Sequence, residues 1–244
     1  MNLKYKSTKK QKIIMSLALI SSFIVFVDST IVNLALPHIE SYFNPDRSQL
    51  EWVINSYTLS FAAIMLSSGS LSDCLGPRKI FILGVSIFLF SSIACAISNS
   101  ILILNLSRLI QGIGAALMLP SSLILATRTQ DDEIKRSHTI GYWAAAGGIG
   151  LAAGPFFGGI LINFLGWESI FWVNVIICLP LLILGLIHLP IIAAQKRKLD
   201  ISGQLSATTC IAGLIFLLIE GPVLGWSHNW IVTSLIIMIA SFII

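Results

Sequence analysis

Seven times in 244 residues the chain runs for eighteen or more positions with scarcely a charge, and this repetition constrains its fold more than any other feature. A helix crosses roughly 30 Å of hydrocarbon with about 20 apolar residues, and lipid offers no partner for backbone polar groups, so each crossing segment must satisfy its own. The runs cover 13–36, 52–71, 80–97, 101–126, 140–162, 170–192 and 201–219, and an eighth starts at 230 and is still apolar at Ile244. Composition agrees: 56% of residues are hydrophobic, 11% are charged and the mean hydropathy is +0.90, far from soluble norms. The expected fold class is all-α and integral to a membrane.

The net charge of +4 raises the question of an acidic partner such as nucleic acid, and the placement of the bases answers it. Lys4, Lys6, Lys9, Lys10 and Lys12 precede the first run, Arg78 and Lys79 follow the second, Arg128, Lys135 and Arg136 follow the fourth, and Lys196, Arg197 and Lys198 follow the sixth. Thirteen of the fifteen bases thus fall on alternate, same-side connections, while Arg47 lies on the opposite side and Arg108 inside a run. The pattern follows the positive-inside rule and predicts a multi-pass protein of the plasma membrane with a cytoplasmic N-terminus and no nucleic-acid partner. Residues 2–12 and the run after them resemble a signal peptide, but no small-residue cleavage site follows and the run contains Asp28, so it reads as a retained helix.

The connections at 37–51, 72–79, 127–138 and 193–200 are short, which makes neighbouring helices antiparallel. The expected organisation is a basic N-terminus at 1–12, a six-helix domain at 13–192, a basic linker at 193–200 and a further helix pair at 201–244. The first and fourth runs each hold one charge, as two three-helix repeats of inverted topology would place them. Pro37 and Pro190 are expected to end helices, whereas Pro120, Pro155 and Pro180 lie within them. Cys74, Cys95, Cys178 and Cys210 have no metal-ligand spacing, and neither a disulfide nor a metal site is indicated.

Chemistry concentrates in few residues. Asp28 lies two-thirds of the way along an apolar run, where a carboxylate is costly unless it meets a partner or a cavity, and a change in its exposure would drive uptake and release of a proton. A purely structural ion pair or cap is the competing reading. Arg108 keeps its proton and cannot be the carrier, but it can bias a carboxylate or hold a polar network, with Gln111 one turn on along the same face; snorkelling to the outer interface is its alternative. Gly150, Gly154 and Gly158 stack on one face of the fifth run beside Pro155 and Gly159, a stripe that lets backbones approach closely and that packing alone also explains. In the turn from Gly69 to Lys79, glycines bracket Asp73, which opposes the dipole of its own helix end and needs a base or another helix N-terminus as partner. His38, His138, His188 and His228 lie at the ends of runs or in loops, and no nucleophile, base and oxyanion set accompanies them, so an enzyme is not expected.

Taken together these segments resemble the major facilitator superfamily. Gly69-x-Leu71-x-Asp73-x-x-Gly76-x-Arg78-Lys79 is similar to the signature between its second and third helices. Asp28-Ser-Thr30-Ile-Val-Asn33-Leu-Ala35-Leu-Pro37 resembles the first-helix motif of drug:proton antiporters with fourteen helices, and Leu104-x-x-x-Arg108-x-x-Gln111-Gly112-x-Gly114 the fourth-helix motif tied to proton coupling. Gly150-x-x-x-Gly154-Pro155-x-x-Gly158-Gly159 is similar to the fifth-helix antiporter motif, characteristic of exporters, and Trp167-Glu-Ser-Ile-Phe171-Trp-Val-Asn174 completes a match in family order. Leu199-Asp200-x-x-Gly203 and Glu220-Gly221-Pro222-x-x-Gly225-Trp226 resemble the fourteen-helix branch of the QacA, EmrB and methylenomycin-resistance type. The sequence departs from the pattern at Cys74 and Pro77, where arginine is common, and at Glu168, which also replaces an arginine.

The resemblance implies a major-facilitator-type N-terminal six-helix bundle with one complete and one partial extra helix, exporting drugs or other lipophilic small molecules against protons by alternating access. Asp28, Arg108 and Gln111 would lie on the proton route, with Asp73 at a cytoplasmic latch between domains. No cofactor is implied, since the proton gradient supplies the energy. A fourteen-helix member needs a second six-helix domain, so the chain is expected to be a fragment, the product of an interrupted frame, or one partner of a separate C-terminal half, and inactive alone. A sugar or metabolite transporter of the same superfamily and a non-transporting membrane subunit are the competing readings.

Overall fold

The protein is described by a computed structural model covering residues 9–130, 132–192 and 201–243. Lys4, Lys6, Asp200 and the 193–200 linker with Lys196, Arg197 and Lys198 lie outside the described residues. Among the described residues eight helices follow one another: α1 Lys9–Phe43, α2 Arg47–Leu75, α3 Pro77–Ala96, α4 Ile101–Arg128, α5 Glu133–Leu165, α6 Ser169–His188, α7 Ile201–Leu224 and α8 Asn229–Ile243. Seven are long and apolar enough to cross a membrane, and the chain is a multi-pass membrane protein.

Most helices outrun the apolar segments that announce them. The 35 residues of α1 extend ~50 Å at the helical rise, so its ends project well beyond the hydrocarbon. Contrary to expectation, Pro37 does not end α1 but lies inside it. A proline costs its helix one hydrogen bond, to the carbonyl of residue 33, and Asn33 and Pro37 lie one turn apart on an exposed face of α1, where the freed group need not be buried. Pro190 does follow the end of α6. The expected 72–79 turn is likewise nearly all helix: Gly69 and Asp73 belong to α2, Arg78 and Lys79 to α3, and the reversal happens at Gly76 alone. Its φ of +93° is open to glycine, and Pro77 starts α3 where a missing N–H costs nothing. Residues 9–12 of the expected N-terminal tail are the first turn of α1.

Side-chain caps fix three further starts. Asp46 and Gln49 form a reciprocal capping box on α2, Ser100 accepts from the Ile103 amide at the start of α4, and Asp132 accepts from Ile134 at the start of α5. The end of α4 and the reversal at Gly76 share one face with the start of α1: Gln11 donates to the Thr129 carbonyl, and Arg128 pairs with Asp73 at 2.7 Å. That face carries the described bases apart from Arg47 and the buried Arg108.

Contacts are broadest between α2 and α4, α3 and α4, and α1 and α5. The first and third of these pairs would exchange under an inverted repeat relating α1–α3 to α4–α6. The α1/α5 seam is built on glycine: a Cβ at Gly150 would come within 2.5 Å of the Phe23 carbonyl oxygen, one at Gly154 would collide with the Thr30 hydroxyl, and one at Gly158 would press on Ile31. Gly159 faces open space and Pro155 is exposed, so the stripe of small residues is narrower than the motif. α7 packs against α2 and α8 against α7, outside the six-helix bundle.

Candidate functional site

Asp28 of α1 and Arg108 of α4 face each other in the middle of the bundle and are buried to 0% and 1% exposure. Two charges in so dry a place persist only if they are paired and hydrogen-bonded, and both are. Arg108 donates from Nη1 to Asp28 Oδ2 at 2.7 Å and to Gln111 Oε1 at 2.7 Å, and from Nε to the Val53 carbonyl of α2 at 3.1 Å. Asp28 Oδ1 accepts from Gln111 Nε2 at 3.1 Å and from Asn174 Nδ2 of α6 at 2.5 Å. Gln111 Nε2 also donates to Ser92 Oγ of α3 at 2.8 Å, and Ser92 in turn donates to the Phe88 carbonyl. The guanidinium lies over the Tyr57 ring, 4.2 Å from its centre, with Phe171 5.8 Å away on the α6 side.

Five of the six bundle helices thus contribute to one network around this carboxylate: α4 and α6 touch it directly, α2 through Arg108 and α3 through Gln111. α5 contributes no donor; it holds α1 in place from behind through the glycine seam. Nearer the basic face, Ser22 of α1 donates to the Trp143 carbonyl of α5, whose indole donates to Ser122 of α4.

The residues singled out by sequence fall into three places. Asp28, Arg108 and Gln111 form the core of the network. Asp73 has found the base it needed: Arg128, in the last turn of α4, a position that also suits the helix dipole. Arg78 donates to the Leu186 carbonyl near the end of α6 at 2.6 Å, Lys79 is exposed, and a Cβ at Gly69 would meet nothing. Gly150, Gly154 and Gly158 lie on the α1 seam, apart from the polar network. Sequence reasoning gave no role to Tyr57, Ser92, Phe171 or Asn174. For Asn174 a signal existed, since it is the one polar residue in the middle of the most apolar helix. Buried serines and aromatics are too common in membrane helices to stand out.

Membrane-length helices bundled around a buried charged pair define a multi-pass membrane protein with a polar site inside its helical core. The chain belongs to the Major Facilitator Superfamily, which it matches over residues 18–244. It is 37% identical over 206 residues to the multidrug resistance protein Stp of Mycobacterium tuberculosis, covering 84% of this chain and 38% of that protein. It is 36% identical over 218 residues to the methylenomycin A resistance protein of Bacillus subtilis, covering 89% and 47%, and 35% identical over 204 residues to the tetracenomycin C resistance and export protein of Streptomyces glaucescens, covering 83% and 38%. The chain therefore spans less than half the length of these relatives. Among solved structures, the POT family transporter PepTSo shares the fold with a TM-score of 0.68 at 12% identity, over 97% of this chain and 52% of that one. The human organic anion transporter MFSD10 does so with 0.65 at 17%, over 95% and 70%.

Proposed function

We propose that this chain forms the N-terminal, proton-coupling half of an exporter of drugs or other lipophilic small molecules, lying in the plasma membrane with its N-terminus in the cytoplasm. A second six-helix domain completes the substrate cavity, and access alternates between the two sides. The observation that carries this reading is the buried Asp28–Arg108 pair: an intramembrane acid held by a permanent cation and two amides can take up a proton and, in doing so, release Arg108. The names of its relatives, which concern resistance to and export of antibiotics, support the direction and the class of substrate.

The test is dye accumulation in cells that express this chain together with the C-terminal half of the Bacillus methylenomycin A relative. A lipophilic cation dye should accumulate several-fold less than in control cells, a protonophore should abolish the difference, and Asp28→Asn should abolish it too. Efflux that persists in the protonophore would remove the proton gradient as the driving force.

A further inference from the structure

A carboxylate and a carboxylic acid need opposite partners. Ionised Asp28 wants donors on both oxygens and has them: Arg108 on Oδ2, and Gln111 and Asn174 on Oδ1. Once a proton arrives, the acid must donate it, and none of the present partners accepts. Oδ2 faces a permanent cation, so the proton belongs on Oδ1, between the two amides. One amide must then turn over and offer its oxygen.

Gln111 cannot do so cheaply. Its oxygen accepts from Arg108 Nη1 at 2.7 Å and faces the Cys95 thiol at 3.7 Å, while its nitrogen also serves Ser92, whose own proton is given to the Phe88 carbonyl. Turning it would set NH₂ against guanidinium and a carbonyl oxygen against a hydroxyl already committed elsewhere. Asn174 is differently placed. Its nitrogen donates to Asp28, and among the described residues nothing donates to its oxygen. A half-turn about its last side-chain bond exchanges one hydrogen bond for another and breaks nothing else.

We infer that Asn174 is the positioning residue for protonation of Asp28: its side-chain amide donates to the ionised carboxylate and turns over to accept the Oδ1 proton of the neutral acid. This rests on the reading that Asp28 takes up a proton. The bond between α1 and α6 thus survives in both states with its polarity reversed, and the loss of charge is felt across the Arg108 contact. Protonation therefore loosens α1 from α4 and leaves α1 attached to α6. The other titratable groups around Asp28 are Tyr57 of α2, whose hydroxyl donates to the Val25 carbonyl, Cys95 of α3 and Cys178 of α6; α5 presents glycines to α1 at this level.

The test is infrared difference spectroscopy, alkaline minus acid, on the 244-residue chain in lipid nanodiscs. Acidification should raise a carboxylic-acid band that is missing in Asp28→Asn, and an asparagine side-chain carbonyl band should move to lower wavenumber in step with it. In Asn174→Leu, the nearest apolar isostere, the amide shift should vanish and the Asp28 band should move to higher wavenumber, because its O–H has lost its acceptor. Asn174→Thr serves should the leucine variant fail to fold: it too removes the amide band, but its hydroxyl can donate or accept, so the Asp28 band should stay near the wild-type position. An Asp28 band unmoved by Asn174→Leu, or an amide shift that outlives both substitutions, overturns the inference and leaves proton coupling standing. No Asp28-dependent band at any pH overturns both.

Discussion

Arg108 makes contacts that no lysine could reproduce. Its fork reaches Asp28, Gln111 and the Val53 carbonyl at once, and its flat face covers the Tyr57 ring. Such a pair is costly to split and cheap to delete together. Removing one partner leaves a desolvated charge and costs on the order of 3–5 kcal/mol, whereas replacing both with apolar groups of similar volume is often neutral. Asp28→Asn and Arg108→Met are therefore each expected to lower the thermal unfolding midpoint in detergent by several degrees, while Asp28→Leu with Arg108→Met returns close to wild type and still exports nothing. Stability unchanged by the single substitutions would mean that water, and not protein, neutralises the pair. That outcome would separate the structural from the functional role of the same two residues.

At the level of helices, close approach and charge pairing are divided between different partners: α5 supplies the first to α1, and α4 the second. The glycines of α5 are accordingly not equivalent. Gly154→Val must displace Thr30, whose hydroxyl also reaches back to the Leu151 carbonyl across the seam, and overpacking of this kind costs about 1–3 kcal/mol or prevents folding. Gly159→Ala and Gly148→Ala point into open space and should leave the yield of folded protein unchanged, as read by size-exclusion chromatography. A Gly159→Ala variant that misfolds would show that the seam is wider than the six helices reveal.

The same helices show what a sequence can disclose. Hydropathy placed every span, because the lipid sets a minimum of apolar length, yet it misjudged the ends: beyond the hydrocarbon, polar residues such as Glu40 and Arg47 continue a helix as readily as they interrupt it. Asp28 and Arg108 stood out by cost. Tyr57, Ser92 and Phe171 did not, because in lipid both faces of a helix are apolar and periodicity no longer marks the side that faces inward.

At the scale of the molecule, the position of α7 decides how the extra helices behave while the bundle moves. α7 rests on α2 through three polar contacts spread along its length: Ser67 with Thr208 at 3.3 Å, Thr208 to the Ala63 carbonyl at 3.1 Å, and the Trp52 indole to Glu220 near the opposite end. Glu220 is 6% exposed, and a buried acid is not easily parted from its donor. Three such contacts along one interface resist sliding, so α7 and the α8 helix packed on it should travel with the six-helix bundle as one body. Cysteines at 67 and 208, in a background lacking the four native thiols, should cross-link readily under mild oxidant. In an exporting assembly the cross-link should leave efflux intact, because it joins parts that already move together. If cross-linked protein stops exporting and reduction restores it, α7 slides on α2 during each cycle, and the extra pair belongs to the moving parts instead of the frame.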